Sequence, residues 1–307
     1  MTDTQKEVFK TPVNKIRLFE HGAPGSQNLK LTRKYYTEDM PDGRVKHIVQ
    51  SITDPDIVPY IPDGIGNSTD RQRIPAVLII PGGAFRRLVY NFEGEDVAKW
   101  LNSMGIAAFV LECRLPSDEH DNAEDVPLID AMRAMRVIRG RAQEFGIDEA
   151  KIGVMGFSAG GFMAALLSTA YESDVYADYK YKDEYDKLSA RPDFAVCSYP
   201  VISIDDCIEA GKRYMSEEQV LERISDRKAK ILHKYNPDKL VRPDMPPVFI
   251  CETDDDRTTL SENSVGFYMA ARKAGVSAEL HIFRTGGHGY GCGDDFAQTG
   301  EWKVLFT

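Results

Sequence analysis

The chain has 307 residues, of which 42% are hydrophobic and 28% charged, a composition typical of ordinary globular proteins with one or two domains. Its formal net charge is −10 and no stretch is rich in lysine or arginine, which argues against a nucleic-acid-binding surface. No apolar run is long enough to cross a bilayer, and the polar first ten residues lack the apolar segment of a secretory leader, so we expect a cytoplasmic protein without a membrane partner.

The five cysteines are widely spaced and none belongs to a Cys-x-x-Cys pair, so the sequence indicates neither a disulfide framework nor a zinc site. Cys113, Cys197 and Cys251 lie in apolar, strand-like runs, which predicts buried free thiols. Because His, Cys, Asp and Glu show no clustered spacing typical of metal ligands, we expect no metal and no cofactor.

Apolar runs alternate with helix-forming runs from residue 75 onwards, whereas the first 73 residues carry only weak signals. In chain order, the predicted elements are edge strands at 16–19 and 45–52, strands at 75–80, 106–111, 152–155, 194–199, 247–251 and 278–283, and helices at about 95–104, 127–145, 162–167, 261–274 and 296–306. Strands that alternate with helices predict an α/β protein with a doubly wound, mostly parallel sheet covered on both faces.

Two stretches interrupt this alternation: residues 171–192 are polar and rich in tyrosine, and residues 204–240 are charged and helical in rhythm. We expect both to be insertions in a single domain spanning 1–307, with the helical one above the sheet near the active site, and both to shape the pocket. The tyrosines of the first stretch allow two interpretations, a sugar-stacking surface or ordinary packing, and we favour packing; they are Tyr176, Tyr179, Tyr181 and Tyr185.

A Gly-x-Ser-x-Gly pattern, residues 156–160, stands between the strand at 152–155 and the helix that follows it. A residue on so tight a turn needs small neighbours, because the chain passes close to other backbone. The turn would lift the hydroxyl of Ser158 above the sheet edge and direct the N-terminus of the next helix at it. By itself the pattern is equally typical of a plain strand-to-helix turn.

The ends of other predicted strands carry groups that could act together with Ser158. In such sheets, ligands bind at the carboxyl ends of the strands. Gly82, Gly83 and Ala84 follow the strand at 75–80, and small residues there allow backbone N–H groups to face a substrate oxygen. Three aspartates, Asp254, Asp255 and Asp256, follow the strand at 247–251, and His288 lies among glycines after the strand at 278–283. Each feature alone is commonly structural, but a serine needs a base and an orienting carboxylate, and this chain supplies all three in the order Ser, Asp, His.

Several segments together resemble the acetyl-xylan-esterase-like, BD-FAE-type branch of the α/β-hydrolases. The segments that carry the resemblance are 18–25, 81–85, 93–94, 130–134, 152–161, 246–249, 262–264 and 286–289. The resemblance implies an α/β-hydrolase fold and hydrolysis of carboxylic esters, often short acyl groups on plant-polysaccharide sugars. Two positions depart from the family pattern: Ala84 replaces a third glycine, and Phe162 replaces a common histidine.

The resemblance also selects one of the three aspartates. In the family, the acid lies at a fixed distance before the Asn-Ser that opens the next helix, and counting back from Asn263 places it at Asp256, with Asp255 as the runner-up. The intervening Arg-Thr-Thr-Leu differs from the family's usual Pro-Val-Val-Pro, so the match in this loop is imperfect.

These observations predict a metal-independent serine carboxylesterase that hydrolyses short-chain acyl esters, in particular O-acetyl groups on carbohydrates. Ser158 is the expected nucleophile, His288 the base and Asp256 its orienting carboxylate, with an oxyanion hole formed by the backbone N–H of Ala159 and of Gly83 or Ala84. The expected partner is a small-molecule or oligosaccharide ester, and the oligomeric state stays open. The alternatives are a prolyl-oligopeptidase-type peptidase, a feruloyl esterase and a binding protein that has lost the chemistry.

Overall fold

A computed structural model describes residue 9 and residues 13–65, 73–225, 230–293 and 298–306. The strands are β1 (Ile16–Arg17), β2 (Lys34–Asp39), β3 (Val45–Gln50), β4 (Asp56–Tyr60), β5 (Ile74–Ile80), β6 (Leu88–Val89), β7 (Ala107–Glu112), β8 (Ile147–Phe157), β9 (Ala195–Ser198), β10 (Val248–Thr253) and β11 (Ala278–Phe283). The α-helices are α1 (Asp96–Ser103), α2 (Val126–Gly140), α3 (Ala142–Phe145), α4 (Ala159–Ala170), α5 (Ile204–Tyr214), α6 (Glu217–Ser225), α7 (Lys230–Lys234), α8 (Ser261–Lys273) and α9 (Trp302–Phe306).

Eight of the described strands form one sheet in the order β1-β4-β7-β5-β8-β9-β10-β11. The pairs from β7 to β11 are parallel, and only β4 runs against its neighbours. The central strands β5 and β7 are continuous apolar runs that are buried on both faces. Such runs are typical of parallel strands covered by helices on both sides. The predicted doubly wound, mostly parallel sheet is therefore confirmed.

The direction of the chain reverses at β5, which lies between β7 and β8. The connection through α1 leads from β5 to β7, and the connection through α4 leads from β8 to β9 in the opposite direction. Because parallel crossovers are right-handed, these two helices lie on opposite faces of the sheet. The reversal opens a crevice at the carboxyl ends of β5 and β8, where open α/β sheets bind their ligands.

The described part of the first 90 residues contains more strands than the sequence predicts. Of the two predicted edge strands, β1 lies at the edge of the main sheet, whereas β3 is the central strand of a small antiparallel sheet with β2 and β6. A further strand, β4, joins the main sheet antiparallel to β7. The sequence of β2, Lys-Tyr-Tyr-Thr-Glu-Asp, is polar and half-buried, and β4 contains Pro59. Neither strand shows the apolar pattern by which strands are recognised, since tertiary pairing rather than local preference forms them.

Two predicted helices have different bounds in the structure. The helix predicted at 127–145 is divided into α2 and α3 at Arg141, and the terminal helix predicted at 296–306 begins only at Trp302, with 296–297 outside the described residues. The last turn of α2 also contacts a residue distant in the sequence. A Cβ on Gly140 would lie 2.3 Å from the ring of Tyr185, so the last turn of α2 accommodates a side chain from the stretch 171–192.

The two stretches that interrupt the alternation differ in structure. Residues 171–192 form turns with one 3₁₀ turn (Glu184–Lys187), and residues 204–240 form α5, α6 and α7, with 226–229 outside the described residues. Tyr176, Tyr179 and Tyr185 pack against the core, as favoured, whereas Tyr181 is 42% exposed. Among the described residues, no helix is both long and apolar enough to span a membrane. Cys113, Cys197 and Cys251 are buried free thiols, as predicted, and burial raises the pKa of each.

Candidate active site

The serine turn, residues 156–160, joins β8 to α4 at the crevice. Ser158 has φ 55° and ψ −120°, a strained conformation for a residue with a side chain. A Cβ on Gly156 would lie 2.0 Å from the carbonyl oxygen of Gly160, and a Cβ on Gly160 would lie 1.9 Å from that of Ile80. Both glycines are therefore required by close backbone contacts, and Ser158 is held in place by them.

The structure brings the three predicted side chains together in one hydrogen-bonded chain. Nε2 of His288 lies 2.8 Å from Oγ of Ser158, and Nδ1 of His288 lies 2.6 Å from Oδ2 of Asp256. The Asp256 side chain is fully buried, while the imidazole is 21% exposed at the mouth of the crevice. With Nδ1 donating to the carboxylate, Nε2 is free to accept the proton of the serine hydroxyl.

The aspartate turn, residues 254–260, points one carboxylate of the triplet at the histidine. Oδ1 of Asp256 accepts the N–H of Thr258 at 2.6 Å and that of Thr259 at 3.0 Å, and Oδ2 accepts the hydroxyl of Thr259 at 2.9 Å. Burial opposes ionisation of Asp256, but these donors and His288 outweigh it and hold its pKa below the usual value. Asp256 is consequently a carboxylate at neutral pH.

The other two aspartates are exposed and do not reach the imidazole. Asp255 instead accepts the backbone N–H of Gly287 at 2.8 Å, which ties the aspartate turn to the histidine loop, residues 284–293. Of the three candidates, only Asp256 is hydrogen-bonded to His288 among the described contacts.

The residues predicted for the oxyanion hole lie where two loops meet over Ser158. The N–H of Gly82 is already bound, at 2.8 Å, by Oε2 of Glu93. A Cβ on Gly82 would lie 2.9 Å from the Cβ of Ser158, so this loop runs directly against the nucleophile. Gly83 and Ala84 follow with φ of 136° and 57°, and Ala159 is the first residue of α4, whose N–H has no acceptor within its own helix.

The helical insertion lies beside the aspartate turn. Arg257, the residue after Asp256, stacks over the ring of Tyr214 at the end of α5, 5.7 Å from its centroid. The N–H of Val201, at the start of the connection to α5, points at the carbonyl of Ser158 at 3.4 Å. The segment after β9 therefore contacts both the serine and the aspartate turns.

Four buried polar residues around the site were not found from the sequence: Glu93, Tyr199, Glu252 and Thr259. In the sequence, Glu93 stood out only as part of the Glu-Gly pair at 93–94, one of the segments that resemble the family. For Glu252, the one available signal was the presence of a glutamate in the otherwise apolar strand β10. Burial, and then the charge of Asp256, raise the pKa of Glu252 well above its usual value. Within the described part of the chain, no group of His, Cys, Asp and Glu residues is arranged to hold a metal ion.

The chain is similar to a known protein family and to two longer proteins. The BD-FAE family model matches residues 65–270. An acetylxylan esterase of Xylanibacter ruminicola is 31% identical over 223 residues, 72% of this chain and 42% of that protein. An endo-1,4-beta-xylanase B of Butyrivibrio fibrisolvens is 31% identical over 227 residues, 74% of this chain and 34% of that protein. The chain thus matches less than half the length of these two relatives.

A solved structure matches over almost the whole chain. The acetyl ester-xyloside bifunctional hydrolase of Caldicellulosiruptor lactoaceticus superposes with a TM-score of 0.69 at 33% identity, covering 96% of this chain and 94% of that one. Both the family match and the relatives at 31% identity agree with the resemblance carried by the sequence motifs. The chain belongs to the BD-FAE family and has the α/β-hydrolase fold.

Proposed function

We propose that this protein is a serine carboxylesterase that removes short acyl groups, in particular O-acetyl groups on carbohydrates. The observation that carries the proposal is the continuous chain of hydrogen bonds from Asp256 through His288 to Ser158. The similarity to an acetylxylan esterase and to an acetyl ester-xyloside hydrolase supports the choice of acetyl esters.

In the first half of the reaction, Oγ of Ser158 attacks the ester carbonyl while Nε2 of His288 takes its proton. Asp256 keeps the imidazole in the correct tautomer and stabilises the positive charge that forms on it. The carbonyl oxygen becomes an oxyanion, which the N–H groups of Ala159 and of Gly83 or Ala84 stabilise; one such donor contributes about 3 to 4 kcal/mol. The imidazolium then protonates the departing alcohol.

In the second half, water replaces the alcohol. His288 takes a proton from the water, which attacks the acyl-serine ester, and a second oxyanion forms in the same hole. Collapse of this intermediate releases the carboxylic acid and returns the proton to Ser158. Every proton in the two halves moves through His288, so the proposed reaction uses only side chains, backbone N–H groups and water.

A small recess next to the oxyanion hole supports a short acyl group. Its volume is about 20 Å³, and its lining includes Gly82, Phe85, Ala159 and Met163. That volume holds about one water-sized group, which suits the methyl of an acetyl ester. Phe162, which replaces the family's common histidine, is fully buried and packs edge-on against Phe85, with ring centroids 5.5 Å apart, so it supports the recess wall.

A substrate panel tests the proposal. It consists of p-nitrophenyl esters from acetyl to octanoyl, acetylated xylo-oligosaccharides, a feruloyl ester and a prolyl peptide amide. We expect acetyl to exceed butyryl about tenfold or more in kcat/KM, since methylenes that a pocket cannot accept cost ~1–3 kcal/mol each. We also expect release of acetate from the oligosaccharides.

A variant and its control sharpen the panel. Met163→Ala enlarges the recess and should raise the butyryl-to-acetyl ratio, whereas Met132→Ala, in α2 and outside the lining, should leave the ratio unchanged. Equal or faster turnover of octanoyl esters would contradict the acetyl assignment. Preference for the feruloyl ester or the peptide amide would replace it by the corresponding activity.

A further inference from the structure

Glu93 is a buried carboxylate that contacts two different loops of the active site. It lies in a π-helical turn, Asn91–Glu95, between β6 and α1, and is only 5% exposed. Its Oε2 accepts the N–H of Gly82, the residue that backs onto Ser158, at 2.8 Å. Its Oε1 accepts the hydroxyl of Tyr199 at 3.0 Å. Both oxygens of Glu93 are thus occupied by groups that lie against the catalytic centre.

Tyr199 continues the connection to the histidine loop. It follows β9, is fully buried and has φ 37°, a backbone conformation that costs energy for a residue with a side chain. Its hydroxyl oxygen accepts the N–H of Gly291 at 3.0 Å, and its ring meets the imidazole of His288 edge-on with centroids 5.0 Å apart. Strain of this kind persists only where the surroundings enforce it, and it is typical of functional sites.

The turn that holds Glu93 and the histidine loop also meet through their backbones. Gly291 has φ 54°, and a Cβ there would lie 2.6 Å from the carbonyl oxygen of Phe92, the neighbour of Glu93. A side chain at position 291 would therefore not fit against the turn that holds Glu93. The distance between these loops is therefore set by this backbone contact together with the hydrogen bonds of the Tyr199 hydroxyl to Glu93 and to the N–H of Gly291.

We infer that Glu93 and Tyr199 are positioning residues: a buried clamp that fixes the oxyanion-hole loop, residues 81–87, relative to the imidazole of His288. The inference rests on the proposed roles of Ser158 and His288. The proposed oxyanion donor at Gly83 or Ala84 lies on this loop and the base on another, and a misplacement of about 1 Å between such groups lowers turnover about a hundredfold. A clamp that spans both loops prevents that misplacement.

The clamp also places a second carboxylate near the imidazole. Burial raises the pKa of Glu93 above its usual value, while His288, the hydroxyl of Tyr199, the N–H of Gly82 and Lys46 act in the opposite direction. When ionised, Glu93 favours the imidazolium that forms during both halves of the reaction. Asp256 stabilises the imidazolium through a direct hydrogen bond, whereas Glu93 acts at longer range.

Steady-state kinetics on p-nitrophenyl acetate with Tyr199→Phe and Glu93→Gln test the clamp. We expect Tyr199→Phe to lower kcat about 10- to 100-fold with KM within about twofold, because binding is retained while alignment is lost. Tyr176→Phe is the matched control: it removes a hydroxyl from another buried tyrosine that donates to a carboxylate, Asp186, and should leave kcat within about twofold.

The pH profile separates the clamp from a merely structural role. Glu93→Gln removes the charge that Glu93 carries when ionised and that favours the imidazolium, so the acid limb of kcat/KM should move to lower pH. Glu93→Asp keeps the charge and should keep the limb near its wild-type position. The position of the limb does not depend on how much enzyme is folded, so the test holds even if a variant is unstable.

Labelling by a fluorophosphonate separates failure of the clamp from failure of the proposed triad. If wild type is not labelled at Ser158, the proposed nucleophile is wrong. If wild type is labelled but Tyr199→Phe keeps near-normal kcat and Glu93→Gln keeps the wild-type acid limb, the clamp is wrong.

Discussion

The serine turn and the aspartate turn follow strands of the same sheet, yet different forces hold them. The serine turn requires residues without a side chain, because a Cβ at Gly156 or Gly160 would lie within about 2 Å of a backbone atom. The aspartate turn contains no glycine, and the carboxylate of Asp256 holds it by accepting two N–H groups and one hydroxyl. The first turn should therefore fail when atoms are added, and the second when hydrogen bonds are removed.

The largest effect on kcat is expected for Asp256, the residue of the aspartate turn that contacts His288. Asp256→Asn keeps the size of the side chain but removes the charge that fixes the histidine tautomer, so kcat should fall about ten-thousandfold, as in a known triad. Ester turnover at neutral pH measures it.

The neighbouring aspartates serve as matched controls. Asp254→Asn should leave kcat unchanged, and Asp255→Asn should cost less than about tenfold, because it loses only its hydrogen bond to Gly287. If Asp255→Asn collapses turnover while Asp256→Asn does not, the carboxylate assignment is wrong.

The serine turn should fail through stability. Gly160→Ala places a methyl 1.9 Å from the carbonyl oxygen of Ile80, and we expect a loss of about 3 kcal/mol or more. Gly266→Ala is the control, since this exposed helical glycine has nothing within 4 Å of the added methyl and alanine favours a helix by ~1 kcal/mol. Thermal melts should show a large drop for the first variant and none for the second. Equal melting temperatures would contradict the steric account.

Glu252 gives the aspartate turn a pH dependence that the serine turn lacks. Its pKa is raised in the folded protein, whereas an unfolded glutamate titrates at about 4.3. Above that pH the unfolded chain ionises while the folded one keeps its proton, so stability falls as pH rises towards the folded pKa. A carboxyl group that is a tenfold weaker acid in the folded state than in the unfolded chain lowers stability by ~1.4 kcal/mol.

Glu252→Gln removes this penalty, so its melting temperature relative to wild type should rise between pH 4 and pH 8. Glu112→Gln, which breaks buried ion pairs with Lys15 and Arg33, should instead lower the melting temperature at both pH values. A difference for Glu252→Gln that stays flat with pH would show that Glu252 does not keep its proton on folding.

The smallest effect concerns a single hydroxyl. Thr259→Val removes the donor to Oδ2 of Asp256 without changing the shape of the side chain, and should lower kcat by roughly tenfold, or ~1 to 1.5 kcal/mol. Thr258→Val is the control, because only the backbone N–H of that exposed residue contacts Asp256. An equal loss in both variants would assign the effect to the loop as a whole.

The comparison of the two turns also explains what could be predicted from the sequence. Glycines required by close backbone contacts stand in the sequence as a pattern, so the serine turn was located directly. The aspartate turn is held by Thr258 and Thr259 where the family usually has valines, so the residues alone left three carboxylates open and counting from Asn263 was needed.

Features that depend on distant partners were out of reach. Glu93 and Tyr199 are 106 positions apart, and neither stands in a local pattern that predicts their hydrogen bond. The contact between Gly140, in the last turn of α2, and the ring of Tyr185 likewise joins residues far apart in the chain. By contrast, β5, β7 and the part of β8 from Ile152 onwards are buried, and their apolar runs predicted them directly.

The measurement that tests the proposed mechanism most directly is labelling by a fluorophosphonate followed by peptide mapping. We expect one adduct per chain, on the peptide containing Ser158, no adduct and no ester turnover in Ser158→Ala, and much slower labelling in Asp256→Asn. Ser168→Ala, which removes another buried serine hydroxyl of α4, should be labelled like wild type. An adduct on a different residue, or turnover above a tenth of wild type in Ser158→Ala, would contradict the proposed mechanism.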